Sequence, residues 1–385
     1  MVALLVCGCA TERRPQLPAL APAASEYGTA APRLTSGEPT MLIILKRLLG
    51  MAAFGVALTG LAASATQAVS AEQAHSGYHL KKTIHLPGTE GWDYISIDSS
   101  ARRLYIGRGQ YLQVVDIDTG RLITQLTDMP GVHGVALVPE LGRGFTVNGE
   151  DNSSTMLDLD KLKALARIRT GKVPDSYTYD QTTRRVFIMN SAGDDATAID
   201  ATTGSAVGTI PLDGQPEFAV SDGKGEVFVN ITDKNQMLAF DARTLKVLHR
   251  WPLTSCEGPS GLSMDREHRR LFSACDNQTM VVMDADSGRV VAALPTGAGT
   301  DASVFDPSTQ NAFASAGGCG TLTIIHEDSP DHFRVLDDVP TASGARTMAL
   351  DEKTHDVLLV TARRGHGATY RELLPDTFVV LVVGK

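Results

Sequence analysis

One seven-residue signature recurs seven times along this chain, and it limits the possible folds more than any other property. It reads Trp92-Asp93-Tyr94-Ile95-Ser96-Ile97-Asp98 at its first occurrence and Pro174-Asp175-Ser176-Tyr177-Thr178-Tyr179-Asp180 at its third. The second positions are Asp93, His133, Asp175, Glu217, Ser260, Asp301 and Arg346, which lie 40 to 45 residues apart, and six copies place Asp five residues further on. A repeat of that length cannot bury its own apolar face alone, so it implies like units packed side by side in one domain.

Within each repeat the signature is followed by three more short runs of β-branched or aromatic residues. The second run is seen in Arg185-Val186-Phe187-Ile188-Met189-Asn190, the third in residues 197–200 and the fourth in residues 207–211. Polar turns separate them, often as Asp-Thr-Gly or Asp-Ser-Gly, in Asp118-Thr119-Gly120 and Asp286-Ser287-Gly288. Four such runs per repeat predict an all-β, seven-bladed β-propeller with four-stranded blades. The last repeat supplies only three runs, and an orphan run at residues 79–86 precedes the first signature. Joining that N-terminal strand to the last blade closes the ring and removes the exposed sheet edges. A hydrophobic content of 43% against 21% charged residues is ample for such a core.

Residues 1–71 stand outside the repeats. From Met41 the chain runs through Lys46-Arg47 and an apolar stretch from Leu48 to Ala62 to the small residues Val69-Ser70-Ala71. A basic start, an apolar centre and a small-x-small end read as a secretory signal peptide over 41–71, cleaved after Ala71. Residues 1–40 then form an upstream extension, and 72–385 the propeller. The expected compartment is the periplasm, with no membrane span after cleavage. Cys256 and Cys275 fall on one face of the repeat and are expected to pair as a disulfide, as suits an exported chain. Cys319 is left over as a free thiol. The formal net charge of −9 disfavours nucleic acid as a partner.

The second runs end in Phe145-Thr146-Val147-Asn148, Phe187-Ile188-Met189-Asn190 and Leu358-Leu359-Val360-Thr361. With the Asp-x-x-Thr-Gly turns, these resemble the YVTN-repeat, YncE-like seven-bladed propellers of bacterial envelopes. The resemblance spans about residues 78–385 and implies the fold and a periplasmic setting. It implies no shared reaction.

Strand order places the seven second positions around one mouth of the channel, here called the upper face. Asp93, His133, Asp175, Glu217, Asp301 and Arg346 are the candidate ligand-binding residues, together with His366 in the long insertion 362–376 of the last blade. Four carboxylates so close would raise one another's pKa unless Arg346, a protonated His133 or a bound cation compensates. No Gly-x-Ser-x-Gly, Cys-x-x-Cys, phosphate-loop or dinucleotide fingerprint occurs in 72–385, so the sequence assigns no reaction. His326-Glu327 opens like a zinc-protease motif but lacks its second His. The expected function is a monomeric scaffold that takes a small ligand or an envelope protein on its upper face, with no resident cofactor. The rival is a metal-dependent lactonase or lyase with a divalent cation held by the mouth carboxylates.

Export makes a direct prediction. Protein recovered from the periplasm of an expressing bacterium should begin at Glu72 by mass spectrometry of its N-terminal peptide. A start at Met41 or earlier would overturn the cleavage assignment.

Overall fold

The computed structural model of the protein describes residues 76–365 and 372–385. The upstream extension, the signal segment and His366 lie outside them. Seven four-stranded antiparallel sheets make up the described chain. Their innermost strands are Ile95–Asp98, Val132–Val138, Pro174–Asp180, Pro216–Ser221, Pro259–Asp265, Thr300–Asp306 and Met348–Asp351, and the blades are numbered 1 to 7 in that order. Two short 3₁₀ turns, Pro139–Leu141 and Thr232–Lys234, are the only helical elements among the described residues. No helix there is long and apolar enough to cross a membrane.

The Asp that ends six of the seven signatures has a local cause. Its carboxylate accepts the backbone N–H groups of the turn into the second strand, as in Asp98 with Ala101 (2.8 Å), Asp180 with Thr183 (2.7 Å) and Asp222 with Lys224 (2.7 Å). A side chain that caps its own turn replaces water on donors the sheet leaves unpaired. The Asp-x-x-Thr/Ser turns of the outer hairpins work the same way, with Asp116 accepting from Thr119 at 2.8 Å and Asp284 from Ser287 at 2.9 Å.

The apolar wedges between blades come from the second strands. Tyr105, Phe145, Phe187, Phe228, Phe272, Phe313 and Leu358 occupy the same position in blades 1 to 7, and all are buried. Each packs against the neighbouring blade, so the core is a ring of like clusters rather than one central mass. Trp92 and Phe378 meet at 5.6 Å where blades 7 and 1 join.

Closure occurs as the sequence implies. Strand His79–His85 pairs antiparallel with Val379–Gly384, with Ile84 opposite Val380, and thereby becomes the outermost strand of blade 7. The Asn residues of the degenerate YVTN motif are buried braces: Asn148 donates to Ser153 and Thr155, both at 3.0 Å, and Asn190 donates to Asp195 (2.6 Å) and Thr197 (3.0 Å). Cys256 and Cys275 form a disulfide within blade 5, across a sequence separation of 19, and Cys319 is a free thiol.

A cross-link closing a loop of that size restricts the unfolded chain by about 3 kcal/mol in the loop-entropy account. The double variant Cys256→Ala/Cys275→Ala should therefore lose on the order of 3 kcal/mol in urea unfolding, and the wild type should lose a similar amount on reduction. Equal stability of the two oxidised proteins would remove the disulfide from the list of what holds blade 5.

Candidate functional site

Six of the seven signature positions form a continuous polar chain at the upper mouth. His133 Nδ1 lies 2.7 Å from Asp93 Oδ2 and 3.2 Å from Asp175 Oδ1, so blade 2 bridges blades 1 and 3. On the other side Arg346 of blade 7 reaches Asp301 Oδ2 at 2.5 Å and Asp93 Oδ1 at 3.3 Å. Ser260 Oγ then donates to Asp301 Oδ1 at 2.9 Å. The order around the mouth is thus Asp175, His133, Asp93, Arg346, Asp301 and Ser260. Glu217 of blade 4 completes the ring by accepting the Tyr94 hydroxyl at 3.3 Å.

That last contact crosses the channel, since Tyr94 belongs to blade 1. Its ring stands edge-on to Tyr177 (5.9 Å between centroids) and to Phe218 (4.8 Å). Edge-to-face packing at these separations is favourable beyond the area it buries. The three aromatics, from blades 1, 3 and 4, make a floor beneath the carboxylates. Gly134 is what admits it: a Cβ there would lie 2.7 Å from Tyr94 Cβ and 2.8 Å from Tyr177 Cε1. Gly149 likewise gives room to the His133 ring, whose Nε2 would be 2.6 Å from an added Cβ.

The charges shape one another's protonation. Burial works against the imidazolium of His133, but its hydrogen bond to Asp93 and the charges of Asp175 and Asp93 outweigh that and raise its pKa above the ordinary value, with Arg346 opposing. Burial pushes Asp175 up to about 6, helped by Asp93 and Asp301 and opposed by His133 and Arg346. Burial likewise raises Tyr94 well above its usual range, and Glu217 and Asp175 add to it, so the phenol remains a donor. Arg346 is also raised, because Asp301 and Asp93 overcome the cost of its burial. Both compensating groups that the sequence offered are therefore in use, and the mouth keeps four carboxylates against one guanidinium and one imidazole.

Other polar residues near this face serve the fold. Arg108 is fully buried, with its guanidinium 3.6 Å from the Phe378 ring centre and donating to the carbonyls of Gly91 and Glu90, both at 3.0 Å. Cys319 Sγ accepts the Ala298 N–H at 3.3 Å. Of the insertion in blade 7, Arg364 lies over Trp92 at 5.7 Å. A shallow cleft there, lined by Thr89, Gly91, Arg364 and Glu372, includes none of the ring residues.

A second cluster escaped the sequence reading. On the opposite, lower face, His268 Nδ1 lies 2.7 Å from Asp265 Oδ2 and 3.0 Å from Glu327 Oε1. Burial and the nearby Asp265 push Glu327 up to about 7, against His268 and Arg270.

The shifts at the upper ring set a pH dependence. Asp175 binds its proton more tightly folded than unfolded, so its contribution to stability falls as pH rises from about 4 to about 6. A raised His133 acts in the same sense, its stabilisation being complete below about 6.5 and lost as pH climbs through its folded value. Asp175→Asn removes the first effect. Relative to wild type, this variant should gain on the order of 1–2 kcal/mol in urea unfolding between pH 4.5 and 7.5. A pH-independent difference would show that Asp175 is ionised throughout.

No known family profile matches this sequence, and no curated protein is recognisably similar to it. Solved structures are similar in fold. The WD40 repeats of RRP9 superpose with a TM-score of 0.68 at 7% identity, covering 79% of this chain and 97% of that one. A chain of the mitotic checkpoint complex gives 0.64 at 12% identity, covering 85% and 98%. Hydrazine synthase of Kuenenia stuttgartiensis gives 0.62 at 14% identity, covering 77% and 97%. At such identities the likeness is one of fold, and the protein is a seven-bladed, WD40-like β-propeller.

Proposed function

We propose that this protein is a periplasmic binding scaffold of the YVTN-repeat, YncE-like kind, whose upper mouth receives a cationic group. That group is an amine or guanidine, borne by a small ligand or by a lysine or arginine of an envelope protein. The observation that carries this reading is the acidic ring above an aromatic floor. Asp175 and Glu217 stand on adjacent blades, with Tyr177 and Phe218 partly exposed beneath them. Carboxylates attract a cation, and aromatic faces stabilise it where water is thin. The scaffold role draws on the fold, which suits binding of protein partners without requiring it.

The metal-dependent lactonase or lyase reading draws on Asp93, His133 and Asp175, whose ligand atoms all lie within 4.8 Å of one another. Arg346 counts against it. A divalent ion sharing Asp93 would sit beside a guanidinium 3.3 Å from that carboxylate, and like charges at such range repel strongly.

Calorimetric titration of the exported protein with a panel of primary amines, guanidines and peptides rich in lysine or arginine tests the proposal. Binding should weaken with salt, and Glu217→Gln or Asp175→Asn should lower affinity by about tenfold, the usual cost of a charge-assisted contact. Indifference to every cation, together with one tightly held metal and turnover of a lactone, would replace this reading with the metal-dependent one.

A further inference from the structure

The sevenfold repeat provides its own control, because a residue that departs from the pattern can be compared with its counterparts in other blades. In six blades the residue after the third strand, or its equivalent, donates its backbone N–H to the carbonyl preceding the second strand. In blades 1 to 5 that residue is Ile117, Leu159, Ala201, Ala242 or Ala285, bonded at 2.8–3.1 Å, and all five are buried and apolar. In blade 6 the same bond, Glu327 N–H to the Gln310 carbonyl at 2.9 Å, places a carboxylate there. Glu327 is only 4% exposed, and the cation against it is His268, whose Nδ1 lies 3.0 Å from Oε1 without good hydrogen-bond geometry.

The neighbouring inner turn of blade 5 departs too. Three residues after the signature Asp, blades 3, 6 and 7 carry Thr183, Thr309 and Thr354, whose hydroxyls donate to that Asp at 2.7–2.9 Å. Blade 5 has His268 instead. A third departure removes a counter-ion. Three of the five other signature Asp residues pair with a basic residue of the next blade: Asp351 with Arg102 (2.7 Å), Asp222 with Arg269 (3.0 Å) and Asp306 with His355 (3.1 Å). The equivalent residue facing Asp265 is the neutral Gln310, which turns to the Pro307 carbonyl.

These departures meet at one point between blades 5 and 6. We propose that Asp265, His268 and Glu327 form a binding site for a divalent cation of the zinc class. One imidazole nitrogen and two carboxylates are a borderline donor set that suits zinc over calcium or magnesium. Their ligand atoms lie within 4.8 Å of one another. Zinc at about 2.0–2.2 Å from each would hold them about 3.3 Å apart, a few tenths wider than the 2.7 and 3.0 Å contacts now made by His268. Asp265 and Glu327 are buried, while the His268 side chain is 33% exposed, which gives the ion an entry path and a fourth position for water. Arg270, whose charge reaches Glu327, is committed to Asp284 at 2.7 Å and to the Pro330 carbonyl at 2.6 Å. It also donates to the His268 carbonyl at 2.9 Å, but unlike Arg346 at the upper ring it is not bonded to the side chain of a would-be ligand. A cation here would fasten the outer hairpin of blade 6, strands Thr321–Ser329 and His332–Pro340, to the inner strand of blade 5.

The test is zinc titration of chelator-stripped protein by calorimetry, with cobalt absorption as a spectroscopic readout of coordination. His268→Thr and Glu327→Ala restore residues that other blades already carry, so both should fold, as cooperative melting would verify. His133→Ala controls for the upper ring. Wild type and His133→Ala should bind one equivalent of zinc, show the visible bands of cobalt in a site of low coordination number and melt at a higher temperature with zinc. His268→Thr and Glu327→Ala should lose all three effects. Failure of the wild type to bind stoichiometrically, or binding that survives in both lower-face variants, would overturn the site and leave a buried ion cluster.

Discussion

The pairing of strand His79–His85 with Val379–Gly384 is the constraint on which the rest of this structure depends. A ring of seven blades stays closed only if its two ends are joined, and here the joint is a ladder of backbone hydrogen bonds within blade 7. Around it the wedges from Tyr105 to Leu358 each complete their burial against the next blade. An open ring would expose two such wedges at once, so the blades stand or fall together more than in an open-ended repeat array.

Much of this was legible in the sequence, for physical reasons. The signature Asp recurs because one carboxylate closes the inner turn in six of the seven blades, and a requirement repeated every 42 or so residues leaves a visible period. The upper ring was legible for the same reason, since one position in each signature faces the mouth. What the period does not carry is the pairing within that ring. That Arg346 serves Asp301 and Asp93 together, or that His133 bridges two blades, depends on side-chain reach across the ring. Tyr94 was equally hidden, because its counterparts are Gly134, Ser176, Phe218, Gly261, Ala302 and Thr347, which share no property. Arg108 looks like a surface-loop cation in sequence, yet stacking on Phe378 and bonds to two carbonyls satisfy it in full burial.

The lower face teaches a different lesson about reading repeats. As a dipeptide, His326-Glu327 resembles only a truncated protease motif, and on that ground it carries nothing. Aligned with Ile117, Leu159 and the three alanines, Glu327 is a charge in a core position. In repeat proteins the position that breaks a rule obeyed by its siblings is informative because geometry is held constant while chemistry changes.

Tyr94 gives the molecule a further property. By spanning the axis to Glu217 and packing on Tyr177 and Phe218, it narrows the central channel just beneath the ring. A guest held at the mouth meets the carboxylates and these rings together, so its residence time reflects both. The two faces can then evolve separate tasks, because nothing bound at one mouth needs to pass the other.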